Sequence, residues 1–202
     1  MPRLSELSID KIYQLAGSTA PTPGGGSVTA LCGLLGIALI LKALRITRRH
    51  RPGEALDTAE SALESLAAAL EADAEDDAIA FDAFIQAVRL PKDDEDQQTE
   101  RTEQMQHAAA AAAAAALDTL EHANAAIEQA QRIHGDVAAA VLADIRAGSR
   151  MVHVTIQNAI DNANGNIESA GPETVRDGLL ARLASLTPRS AGLVRRDAAP
   201  PG

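Results

Sequence analysis

The chain has 202 residues and a formal net charge of -10, with 46% hydrophobic residues but only 1% aromatic. That length suits one domain with one core, and a core so poor in rings must be packed from Ala, Leu, Ile and Val, which favours helices over sheets. The acidity argues against nucleic acid, whose phosphates draw on a positive face, and the single cysteine, Cys32, excludes an internal disulfide.

Cys32 lies inside an apolar run and reads as a small buried hydrophobe in a reducing compartment. Ser5, Glu6, Ser8 and Asp10 replace the basic and apolar regions that a signal peptide would show. The longest uncharged apolar run, Ser27 to Leu41, is shorter than the roughly 20 residues a bilayer needs. The expectation is a cytoplasmic chain with no membrane span.

A first short helix is predicted from a cap at Ser8 to about Ala16, followed by a loop from Gly17 to Gly26. A second helix runs from Ser27 to about Arg45, where Gly33 and Gly36 make sense only if another backbone approaches closely. After the turn at Pro52 and Gly53 a long helix spans Glu54 to Val88, with Leu56, Leu63 and Leu70 as a heptad seam, Ala59 and Leu66 between them, and Pro91 beyond its end. The fourth helix runs from Asp94 to Ile133 through the alanine run Ala108 to Ala116, whose small side chains invite close helix approach and a dimer. His134 and Gly135 mark a break, Asp136 is placed as the cap of a fifth helix to about Ile160, and Pro172 with Glu173 opens a sixth ending near Leu186. The pattern predicts an all-α, antiparallel up-and-down bundle, one domain over 1-186 with a flexible tail over 187-202.

Four features are candidates for chemistry. In Pro21-Thr22-Pro23-Gly24-Gly25-Gly26-Ser27 two prolines stiffen a loop whose glycines allow backbone geometry closed to other residues, and it leads into a helix N-terminus whose bare amides suit an anion. A plain connector capped by Ser27 fits the same pattern. No Gly-Lys-Ser/Thr follows and no strand precedes it, so nucleotide-binding fingerprints are absent. Extending the leucine seam by seven residues lands on Asp77, which is either an inward carboxylate with a partner or turned to solvent with Asp73 and Asp76.

His153 sits on a stripe with Leu142, Ile145, Ser149, Ile156 and Ile160, as a proton carrier or as a satisfied core residue. Lys42, Arg45, Arg48, Arg49, His50 and Arg51 form a basic cluster that suits a polyanionic tail or simply a solvated helix end. His107, His122, His134 and Cys32 show no ligand spacing, so no metal site is expected.

These residues resemble a known family, the cyclodeaminase domain of formiminotransferase-cyclodeaminase and its stand-alone methenyltetrahydrofolate cyclohydrolase relatives. The loop PTPGGGS with its Gly- and Ala-rich helix, Asp77-Ala78-Ile79-Ala80-Phe81 with Ala83 (similar to D-x-x-A-F-x-A), and Arg89-Leu90-Pro91-Lys92 (similar to R-L-P-K) carry the resemblance over roughly Leu7 to Ile160. The chain departs from the family at Ile133-His134-Gly135-Asp136, where an Asn-rich turn is usual. It departs again at Val152-His153-Val154-Thr155-Ile156-Gln157, in place of V-N-V-x-I-N, and in the stretch Ile46 to Arg51.

The resemblance implies a helical homodimer acting on a tetrahydrofolate derivative as substrate, with no bound cofactor. Asp77, Asp136 and His153 are then the acid-base candidates. Pro23, Gly24, Gly25, Gly26, Ser27, Phe81, Arg45 and Arg48 are the ligand-binding candidates. Loss of catalysis with retention of the bundle, as a folate-binding or dimerisation scaffold, is the alternative that the departures raise.

Overall fold

The computed structural model describes residues 3–197, with side chains to Thr187, and contains only helices and turns among them. The α-helices are α1 (Ile9–Ala16), α2 (Gly25–His50), α3 (Glu54–Val88), α4 (Glu95–Ile133), α5 (Leu142–Ile167) and α6 (Glu173–Asp197). Two 3-10 turns, Leu4–Glu6 and Ala139–Val141, precede α1 and α5. Four helices, α2 to α5, form the antiparallel up-and-down bundle expected of long amphipathic helices joined by short turns, and α6 packs against α4 and α5.

The caps explain most boundaries. Ser8 accepts from the Lys11 amide at the start of α1, and Asp94 accepts from the Gln97 amide at the start of α4. The seam of α3 is buried as its spacing requires: Leu63 and Leu70 are inaccessible, with Leu56 and Ala59 nearly so. Between α2 and α3, Arg45 pairs with Glu60 and Glu64 at 2.7 and 2.6 Å, and Arg48 pairs with Asp57 at 2.9 Å and also with Glu60. Residue numbers rise on one helix as they fall on the other, so the antiparallel register carries residues near Asp77 to the first turn of α2.

Several boundaries differ from the expectation, among them the end of α5, which continues past Ile160 to Ile167. α2 starts earlier and ends later than Ser27 to Arg45, because Gly24 is the N-cap and the basic residues to His50 continue the helix. Asp136 does not cap α5: it lies in a turn, its amide donating to the Ile133 carbonyl, and α5 begins only at Leu142. α6 continues past Leu186 to Asp197. Residues 198–202 of the anticipated tail lie outside the described residues. Cys32 is half-buried rather than enclosed, and burial raises its thiol pKa.

α2 is long and apolar enough to cross a bilayer by length and composition, yet 56% of its most apolar stretch is buried against the other helices. That contact is made close by glycine. A Cβ on Gly36 would stand 2.7 Å from the Gly148 carbonyl oxygen, one on Gly148 would overlap the Gly36 carbonyl, and one on Gly33 would stand 2.8 Å from Thr155 Oγ1. Backbone cannot yield as a side-chain tip can, so Gly148→Val must push α2 and α5 apart.

α3 and α4 are joined by a buried acid. Asp73 is 4% exposed and bonds His122 Nδ1 at 2.8 Å. The neighbouring charges are Asp76, Asp118 and Glu121, and Arg182 of α6 holds the last two at 2.7 and 2.8 Å. The hydrogen bond to Asp73 raises the His122 pKa, and burial raises that of Asp73 despite the pull of the imidazole. Both shifts mean that the fold holds protons the unfolded chain would release. The stabilisation is therefore present below the unfolded values of 3.8 and 6.5 and declines as pH rises through the higher folded ones.

Two measurements check this account. Gly148→Val is expected to lower the urea midpoint by an amount equivalent to about 1–3 kcal/mol, and a wild-type midpoint would show that the helices are not clamped there. The wild-type melting temperature is expected to fall as pH rises above the unfolded imidazole value of 6.5, with Asp73→Asn flattening the slope; equal slopes in the two proteins would remove the pair from the pH response.

Candidate functional site

The first turn of α2 leaves amides without intrahelical acceptors, as every α-helix does. Here a carboxylate from another helix meets one of them. Asp77 Oδ2 accepts from the Ser27 amide at 2.7 Å and from Ser27 Oγ at 2.6 Å, while Asp77 Oδ1 accepts from Asn162 Nδ2 of α5 at 3.1 Å. Asp77 is half-buried and Ser27 fully buried, so the seam position reads inward, as one of the two sequence alternatives held. Negative charge at this end also opposes the positive pole of the helix.

The glycines of the loop serve space rather than backbone conformation. No glycine among the described residues has positive φ, contrary to the expectation from the triplet. A Cβ on Gly26 would overlap Asp77 Oδ1 and stand 2.6 Å from Asn162 Nδ2, so only glycine fits there. Gly25 is exposed, with Asn158 Nδ2 3.7 Å from its Cβ position, and Gly24 has open space. Pro23 is buried and follows a cis bond from Thr22. Ser27 is not the N-cap but the third helical residue, held by Asp77.

Two polar residues of α5 that sequence reading passed over complete the wall. Thr29 Oγ1 donates to Asn158 Oδ1 at 2.7 Å, and Thr155 Oγ1 donates to the Thr29 carbonyl at 2.6 Å. Thr155, Asn158 and Asn162 recur at spacings of three and four, a polar stripe on one face of α5, and that periodicity was the available signal. Asn166 of the next turn donates to the Asn162 carbonyl at 2.9 Å.

Four of the remaining candidates, Asp136, His153, Arg45 and Arg48, lie apart from Asp77 within one chain. Thr47 Oγ1 accepts from the Ala138 amide, so the turn holding Asp136 sits at the far end of α2, roughly 30 Å from Ser27 at 1.5 Å per residue. Asp136 is exposed there. His153 is buried, but it lies about 180° around α5 from Asn162, on the opposite side from Asp77. Arg45 and Arg48 are at the same far end of α2 as Asp136 and are engaged by the acids of α3. Phe81, 41% exposed, follows Asp77 by one turn on the same flank of α3. Arg89-Leu90-Pro91-Lys92 forms the turn from α3 to α4.

A partly solvated carboxylate, held by neutral donors beside a bare helix N-terminus and an exposed ring, is equipped to accept and return a proton on a flat polar ligand. No curated protein sequence matches the chain. Among solved structures, the formiminotetrahydrofolate cyclodeaminase of Thermotoga maritima superposes with a TM-score of 0.83 at 21% identity, covering 96% of this chain and 94% of that one, which establishes a shared fold. The sequence pattern of the formiminotransferase-cyclodeaminase family matches residues 8–185, from the Ser8 cap to the last helix, and the chain belongs to that family.

Proposed function

We propose that the protein acts on a one-carbon unit carried by tetrahydrofolate, either hydrolysing a methenyl bridge or closing a formimino group with loss of ammonia. The observation that carries this reading is the carboxylate of Asp77 docked on the glycine-led N-terminus of α2. In hydrolysis, Asp77 takes a proton from the water attacking the cationic bridging carbon and returns it to the ring nitrogen as the carbon–nitrogen bond breaks, while the remaining hydroxyl proton passes to solvent as the formyl carbonyl forms. In deamination, it takes the proton of the folate nitrogen attacking the protonated formimino group and delivers it to the departing ammonia, leaving the methenyl cation. Both cycles balance without a resident cofactor or metal, and both use one group as base and then acid.

Pro23, Gly24, Gly25, Gly26 and Ser27 wall the site on one side, and Phe81 offers an exposed ring face to a pterin. Asp136, His153, Arg45 and Arg48 do not reach this site within one chain, so Asp77 alone carries the proton in this reading. A second reading, a folate-binding scaffold without turnover, is favoured by one observation: both Asp77 oxygens already have protein donors, as a purely structural cap would.

The reading includes a homodimer. α3 and α4 bound an open groove of about 430 Å3 walled by Ala80, Ala83, Ala108, Ala111 and Ala114, and Ile79 stands 66% exposed at its edge. Slim walls beside a projecting side chain suit a second copy of the same surface, as the alanine run suggested.

Two experiments decide. Wild type is expected to accelerate loss of methenyl-tetrahydrofolate absorbance or release ammonia from the formimino compound, with Asp77→Asn lowering kcat about 10²- to 10⁴-fold. Rates equal to buffer, with folate still bound, would leave only the scaffold. Sedimentation equilibrium is expected to give twice the chain mass for wild type and the single mass for Ala111→Glu; a wild-type monomer at micromolar concentration would remove the dimer.

A further inference from the structure

The torsion that turns a carboxylate about its last carbon–carbon bond is broad, so one anchored oxygen does not fix where the other lone pairs point. Ser27 supplies two donors, and both go to Oδ2 of Asp77. The second oxygen is reached from a different helix, where Asn162 Nδ2 lies 3.1 Å from Oδ1. Gly26 keeps the two side chains together, since a Cβ there would crowd both.

An amide is a particular choice at this point. Its NH2 donates to a carboxylate, and after rotation its carbonyl oxygen accepts from a carboxylic acid, so it serves both protonation states of its partner. A lysine or arginine there has no acceptor for the proton of a carboxylic acid, and a hydrophobe serves neither state.

We infer that Asn162 is the positioning residue for Asp77, holding the plane of its carboxyl group through both halves of a proton-transfer cycle. The inference rests on the proposed role of Asp77 and assigns Asn162 no contact with substrate.

The test uses the full chain with Asn162→Asp, which keeps the shape but replaces the donor with an acceptor, and Asn162→Ala, which removes both. One readout is the Ser27 backbone amide cross-peak in a proton–nitrogen spectrum, which reports the Asp77 carboxylate whether or not the protein turns over. The other is kcat against KM with methenyl- and formimino-tetrahydrofolate. In both variants the Ser27 signal is expected to move toward its position in Asp77→Asn. kcat is expected to fall on the order of tenfold to a hundredfold with KM held within about twofold, as misaiming a reacting group does. A Ser27 signal at the wild-type position in Asn162→Asp overturns the inference, as does an unchanged kcat with a raised KM. Should wild type turn over neither folate, the functional reading fails on its own, and the Ser27 signal alone then decides the role of Asn162.

Discussion

The site depends on one charge–dipole contact, the carboxylate of Asp77 set against the unsatisfied first turn of α2. A capping group is ordinarily supplied by the residue just before its own helix and contributes about 1 kcal/mol. Here the residue before α2 is glycine, which has no side chain to offer, and the acceptor comes from the middle of α3. The bond is therefore tertiary: it fixes the register of α2 on α3, and through Asn162 it draws in α5. Three helices meet at one carboxyl group, which makes the same half-buried side chain a structural fastener and the one charged group of the wall.

This double duty explains why the glycine triplet is not uniformly required. Gly26 has no room for a Cβ because the Asp77 carboxylate occupies that space, whereas Gly24 faces open space. An anion does sit at the helix end, as the bare amides suggested, but the protein brings its own. A ligand reaching this corner meets a carboxylate with neutral donors around it rather than an empty cradle.

What sequence could disclose followed from periodicity. The seven-residue recurrence of Leu56, Leu63 and Leu70 gave the burial of α3 and carried Asp77 inward, and the spacing of Gly33 and Gly36 anticipated a close backbone. The bounds of α3 also agree, because Gly53 and Pro91 leave little freedom on either side. Signals that several residues can send were less decisive. Asp136 has the chemistry of a cap, yet its amide closes a turn with Ile133 and the helix waits until Leu142. Asn158 and Asn162 stayed unread because amides on a helix face are common on solvated surfaces, and only the partner helices show which way they turn. The basic end of α2 could not be told from a ligand site until Glu60 and Asp57 were placed against it.

The glycine crossing of α2 and α5 has a consequence for anyone wishing to make this protein hardier. Exchanging glycine for alanine in a helix interior is a standard route to a higher melting point, since it trims the disorder of the denatured chain and gains as much as 1 kcal/mol of helix propensity. At Gly36 and Gly148 the added methyl would collide with a carbonyl oxygen of the opposite helix. A consensus-style stabilisation campaign should leave this pair alone and spend its substitutions at Gly165 and Gly178, where a methyl group would meet nothing within 4 Å.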